Sequence, residues 1–86
     1  MDANFYVYAL VSQVDNRIYV GISQRVDMRV SEHNAGKVKS TKGFVPWKLF
    51  FSEFVGNSQS AREREKYFKA ASGKRKLRAM LNGLNP

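Results

Sequence analysis

Two short segments dense in aromatic and β-branched residues, 5–12 and 17–22, open the chain and read as strands. Asp15-Asn16 between them is a turn signal, so the two form a hairpin. With Asp15 and Asn16 as central turn residues, Val14 faces Arg17, Ser12 faces Tyr19 and Leu10 faces Gly21. Alternation then puts Tyr6, Tyr8, Tyr19, Gly21 and Ser23 on one side of the hairpin. Phe5, Val7, Val11, Ile18, Val20 and Ile22 form a continuous apolar layer on the other. Ser23 is placed to cap a helix over 24–34, with Asp27 in its first turn and Gly36 as its stop. Residues 38–45 are polar and lysine-rich and read as a loop closed by Pro46. Residues 47–55 are apolar enough for a third strand, and Gly56-Asn57 is a turn. Ser60 and Glu63 match a capping box, so a second helix begins there and reaches about residue 71. Ser72-Gly73 breaks it, a short third helix covers 74–81, and Gly83 and Pro86 close the chain. Tyr67 and Trp47 are expected in the core. The pattern predicts an α+β domain: a small, mostly antiparallel three-stranded sheet flanked by helices, in the order ββα-β-α-α.

Length makes this a single domain over residues 1–86 with a modest core. Cysteine is absent, which removes disulfides and thiolate metal sites. No apolar run approaches the ~18 residues of a membrane span, and the first residues carry no signal-peptide pattern, so a cytoplasmic protein without a membrane partner is expected. A net charge of +8 changes the picture more. Lys37, Lys39, Lys42 and Lys48 fall in a stretch without acids, and Lys74, Arg75, Lys76 and Arg78 cluster near the end. Such surfaces attract phosphate polymers by counterion release. The plainer reading is a solvated surface that keeps the protein in solution.

At 100° per residue, Val26, Arg29, Val30 and His33 share an arc of about 100° on the first helix, while Asp27 and Glu32 point elsewhere. A guanidinium and an imidazole thus lie beside the apolar stripe, where the first needs a partner. Taken singly, each is an ordinary core-edge side chain. On the second helix Ala61, Glu65, Phe68 and Ser72 share a face, so Glu65 leans toward the core, either paired with Lys69 or free to bind Mg²⁺. Tyr8 and Tyr19 share a strand face with Gly21 leaving space beside them. Phenols there could orient a water or accept its proton.

Tyr6-Val7-Tyr8, Tyr19-Val20-Gly21, Arg29 with His33, and Glu65, in this order and spacing, resemble the GIY-YIG nuclease domain. Further likenesses are His33-Asn34-Ala35-Gly36, Thr41, Pro46-Trp47 and the Ala61, Glu65, Lys69 ladder, which look like the small stand-alone bacterial branch related to the amino-terminal domain of the excinuclease UvrC. Tyr6 stands where the first tripeptide has glycine, and Ile22 where several relatives have lysine. The resemblance implies a metal-dependent endonuclease acting on DNA in repair or recombination, with RNA as the alternative polymer. Tyr8, Tyr19, Arg29, His33 and Glu65 would be its catalytic residues, and Glu65 its ligand for Mg²⁺ or Mn²⁺. Arg29 looks like the phosphate-holding arginine, and Tyr19, Tyr8 or His33 would activate water. Asn82 is a loose match to an asparagine near the family site. Lys37, Lys39, Lys42, Lys74, Arg75, Lys76 and Arg78 would grip backbone phosphate. The rival functions are a binding module without activity and a partner-binding domain with incidental charge.

Overall fold

β1 (Phe5–Ser12) and β2 (Ile18–Ser23) form the expected antiparallel hairpin, but in a different register. Tyr8 pairs with Gly21, Leu10 with Tyr19 and Val11 with Ile18, two residues away from the expected pairing. The cause lies in Ser12. Its N–H donates to Arg17 O (2.9 Å), and its Oγ accepts from the N–H of Val14 (3.1 Å) and Asp15 (3.4 Å). Asn16, at φ +65°, turns the chain back. The connection is therefore a longer loop held by a serine hydroxyl. Because the offset is even, every side chain keeps its expected face.

The computed structural model describes residues 2–83; Met1 and residues 84–86, among them Pro86, lie outside the described residues. β3 (Trp47–Gly56) pairs antiparallel with the other edge of β1, giving the order β2-β1-β3. α1 (Val26–Asn34) starts later than expected because Ser23 does not cap it. Ser23 Oγ instead accepts from the Arg25 N–H (2.9 Å), and the cap position, Arg25, supplies no side-chain bond. A short 3₁₀ turn, Lys42–Phe44, follows the lysine loop. α2 (Ser58–Lys69) is capped by Asn57, whose Oδ1 accepts from the Ser60 N–H (2.8 Å), so the Ser60–Glu63 capping box is superseded. α3 (Ala71–Gly83) is longer than expected.

The sheet has two packed sides. Val7, Ala9 and Val20 meet Phe68 of α2 and Leu77 of α3. Tyr8, Leu10 and Trp47 form the other cluster with Tyr19, Val26, Val30 and Phe44. Trp47 is buried as expected, its Nε1 donating to Thr41 O (2.9 Å), whereas Tyr67 is 38% exposed. Asn34 locks the end of α1 to β3. Its Nδ2 donates to Trp47 O (3.0 Å) and its Oδ1 accepts from the Trp47 N–H (2.6 Å). Among the described residues, no helix is long and apolar enough to cross a membrane.

Gly73 is not a breaker. It lies in the first turn of α3, and the chain breaks at Ala70, which is extended. A Cβ at Gly73 would lie 2.0 Å from Tyr67 O and 2.6 Å from Phe68 Cα, both backbone atoms that cannot move aside. Gly73→Ala is therefore expected to cost about 3 kcal/mol or more by forcing α3 off α2. Urea unfolding checks this, and an unchanged midpoint would contradict it.

Candidate active site

The hairpin sets the first two groups. Tyr8 comes from the central strand and lies across Gly21 on β2: a Cβ at Gly21 would sit 2.7 Å from the Tyr8 phenol oxygen and 3.0 Å from Tyr19 Cε2. The two phenol rings are 6.3 Å apart, and Tyr19 packs edge-on against His33 at 4.8 Å. Glycine at this register position leaves the space that both rings fill.

α1 adds His33 and Arg29 from below. His33 is fully buried, and both ring nitrogens are engaged: Nδ1 with Thr41 Oγ1 (2.8 Å) and Nε2 with Tyr8 Oη (2.9 Å). Thr41 Oγ1 donates its proton to Val38 O (3.3 Å), so its oxygen accepts from Nδ1–H. Nε2 then carries the lone pair and accepts the Tyr8 O–H. This is a directed chain, Tyr8 to His33 to Thr41 to Val38.

The electrostatics agree with it. Burial pushes the Tyr8 phenol well above its usual range; the Tyr19 phenol and the Glu65 carboxylate add to this, and the adjacent Arg29 guanidinium opposes it. Burial, helped by the Arg29 charge and opposed by Glu32, lowers the His33 pKa below 6.5. Its imidazole is thus neutral at pH 7, as an acceptor of the Tyr8 proton must be. His33 is the chain's only histidine. A folded pKa below the unfolded value means the unfolded chain binds more protons as pH falls through about 6.5. Stability from this source is complete above that pH and falls below it. The urea midpoint is expected to drop between pH 7 and 5.5, and this slope to flatten in His33→Gln, whatever that variant's absolute stability. An equal slope in the two proteins would contradict it.

Arg29 has the partner its position requires. Its Nη1 donates to Glu32 Oε1 (2.8 Å), which raises the guanidinium pKa further. Glu32 was expected to point elsewhere; the i, i+3 spacing was the available signal. Glu65 is half-buried on α2, with Lys69 Nζ 3.2 Å from its Oε2. It is close enough to weigh on Tyr8. Tyr8, Tyr19, Arg29 and His33 thus lie together, with the Glu65 carboxylate within electrostatic reach.

Among the described residues, no three His, Cys, Asp or Glu side chains gather into a metal-holding cluster. A lone half-buried carboxylate fits Mg²⁺ or Mn²⁺ only where substrate phosphate and water complete the shell. The basic residues divide. Lys37, Lys39 and Lys42 are exposed in the loop beside Thr41, on the Tyr8 side of the sheet. Lys74, Arg75, Lys76 and Arg78 are exposed on α3, which packs on the opposite side. Arg78 there donates to Asn16 O (2.8 Å), and Lys76 lies near Glu53. Asn82 is exposed near the end of α3.

The profile of the GIY-YIG catalytic domain matches residues 4–78. A UPF0213 protein of Bacillus licheniformis is 33% identical over 79 residues, covering 91% of this chain and 81% of its own. A UPF0213 protein of Natronomonas pharaonis is 38% identical over 79 residues, covering 91% and 92%. One from Staphylococcus haemolyticus is 38% identical over 77 residues, covering 88% and 93%. No solved structure matches the chain.

Proposed function

The chain belongs to the GIY-YIG catalytic-domain family, and on that premise we propose that it is a metal-dependent endonuclease that hydrolyses DNA phosphodiesters. Repair or recombination is the setting such cleavage would serve. The observation that carries this reading is the gathering of two phenols, a guanidinium and an imidazole from the hairpin and α1, with the α2 carboxylate within electrostatic reach.

Each group takes a role its surroundings suit. Arg29 faces the charge that builds on the phosphoryl group. Glu32 holds its fork in place without neutralising all of it, since a guanidinium offers several donors. Tyr8 is buried and reluctant to ionise, and its proton is committed to His33, so it orients and donates. His33 has no free nitrogen for a water and serves to position Tyr8. Tyr19, only half-buried, is the phenol that solvent reaches, and we assign it the activation of water. Glu65 would hold Mg²⁺ or Mn²⁺ together with substrate phosphate. When bound, that ion supplies Lewis-acid polarisation of the phosphate and stabilises the leaving oxygen. The lysine loop around Thr41 supplies non-specific grip on the backbone from the same side.

Nicking of supercoiled plasmid by purified protein tests the reading. Cleavage is expected with Mg²⁺ or Mn²⁺ and none with chelator. Protein that shifts DNA but never nicks it, over a range of metals and branched substrates, would leave only a binding module.

A further inference from the structure

One strip of the sheet is only partly covered. Tyr6 pairs with Ser23 on one side and Phe54 on the other, so these three cross the sheet in one row on the Tyr8 face. α1 sets Val26 and Val30 on the neighbouring Tyr8, Leu10 and Trp47, and in this row Tyr6 and Ser23 stay partly exposed. The Tyr6 and Phe54 rings meet edge-on at 5.4 Å, and Phe54 is 57% exposed.

Two clefts join the strip to the catalytic arginine. One, of about 280 Å³, lies between Tyr6, Ser52 and the start of α1, with Arg25 and Asp27 on its wall. The other, of about 220 Å³, runs from Arg25 to Arg29 and Glu32. Arg25 borders both. Its guanidinium is exposed and, among the described residues, has no carboxylate or hydrogen-bonding partner, whereas Arg29 is already tied to Glu32.

A free guanidinium one helical turn from Arg29, and a partly exposed aromatic pair beyond it, match one nucleotide in chemistry. The phosphate belongs on the arginine side. The Asp27 carboxylate would repel a phosphate in the Tyr6 cleft but can accept from a base amino group. Exposed aromatics stack bases that have left a duplex, since paired bases already have both faces covered. Resting on the endonuclease reading, we infer that Arg25 binds the phosphate next to the scissile one and the Tyr6–Phe54 pair stacks an unpaired base. The substrate is then DNA that is single-stranded beside the cut.

The test is fluorescence anisotropy of the whole protein in chelator, with a labelled single strand, the blunt duplex and a duplex with a single-stranded tail. The single strand and the tailed duplex are expected to bind about tenfold more tightly than the blunt duplex. Phe54→Ala removes that ratio, weakening the single strand about tenfold and the duplex less than about twofold, while Phe54→Trp keeps it. Arg25→Gln weakens all three and lowers the slope of log affinity against log salt by about one. Equal binding of single strand and duplex, or a ratio untouched by Phe54→Ala, overturns the inference. So does a concentration-dependent dimer lost in Phe54→Ala, which would give the strip to a second copy of the chain. Binding with the preference but no nicking in metal removes the endonuclease reading and keeps the strip; nicking without the preference does the reverse.

Discussion

Glu65→Gln is expected to lower the single-turnover cleavage rate by about a thousandfold or more. The carboxylate is the group in reach of the phenols that suits a hard cation; Glu32, the other acid nearby, is committed to Arg29. An amide of the same shape keeps the helix and the packing but loses the charge on which the proposed Mg²⁺ binding rests. Stability should move little, because Lys69, the partner of the half-buried Glu65, is itself exposed and a pair with one exposed member is worth under about 1 kcal/mol. DNA affinity in chelator should stay within about twofold, since basic side chains dominate it. The three readouts together separate a lost ligand from a lost fold. A variant that folds, binds and still cuts at more than about a tenth of the original rate would remove Glu65 from the chemistry.

Gly21→Ala is the second large effect, and it acts through geometry. The added methyl would lie 2.7 Å from the Tyr8 oxygen and 2.8 Å from its Cζ, with Tyr19 Cε2 at 3.0 Å. A free side-chain end would swing away at little cost. Tyr8 cannot, because it is buried and its hydroxyl is bonded to His33. The substitution must separate the phenols, break the bond to His33, or bend β2. A cost of about 1–3 kcal/mol in stability follows from overpacking. Cleavage should fall about a hundredfold, because a displacement of this size is felt strongly at reacting groups. Gly43→Ala is the matched control, with nothing within 4 Å of its Cβ, and should be silent. A fully active Gly21→Ala protein would show that the phenol positions do not depend on this glycine.

The faces of the hairpin were legible in the sequence because side-chain alternation survives any even shift of register. The register itself was not. It turns on a hydroxyl, Ser12, that stabilises a longer loop than Asp15-Asn16 suggests. Helix starts failed for a related reason. Ser60 and Asn57 both qualify as caps, and the asparagine is the one used, following Gly56 at φ +118°. Gly73 looked like a stop because glycine in a helix is costly, but here a tight crossing needs the missing side chain. The phenols, Arg29, His33 and Glu65 stood out as candidates because polar groups on apolar stripes are conspicuous, and the structure brings the first four together. Their bonding was less legible: Thr41 as the partner of His33 has no local spacing to betray it, and Glu32 as that of Arg29 had only its i, i+3 spacing. Charge clustering likewise says nothing about sides, so the α3 lysines and arginines ended behind the sheet.

α2 carries Glu65, yet it is seated with Phe68 on the sheet face away from Tyr8. The carboxylate is therefore delivered from behind, while the arginine and the phenols are arranged in front. Chemistry of this kind is a property of the finished sandwich and of no part of it. On the proposed reading, a hairpin with α1 alone would display most of the candidate groups and lack the carboxylate assigned to the metal. If Glu65 holds the metal as proposed, loosening the rear layer would disarm the front one without touching it.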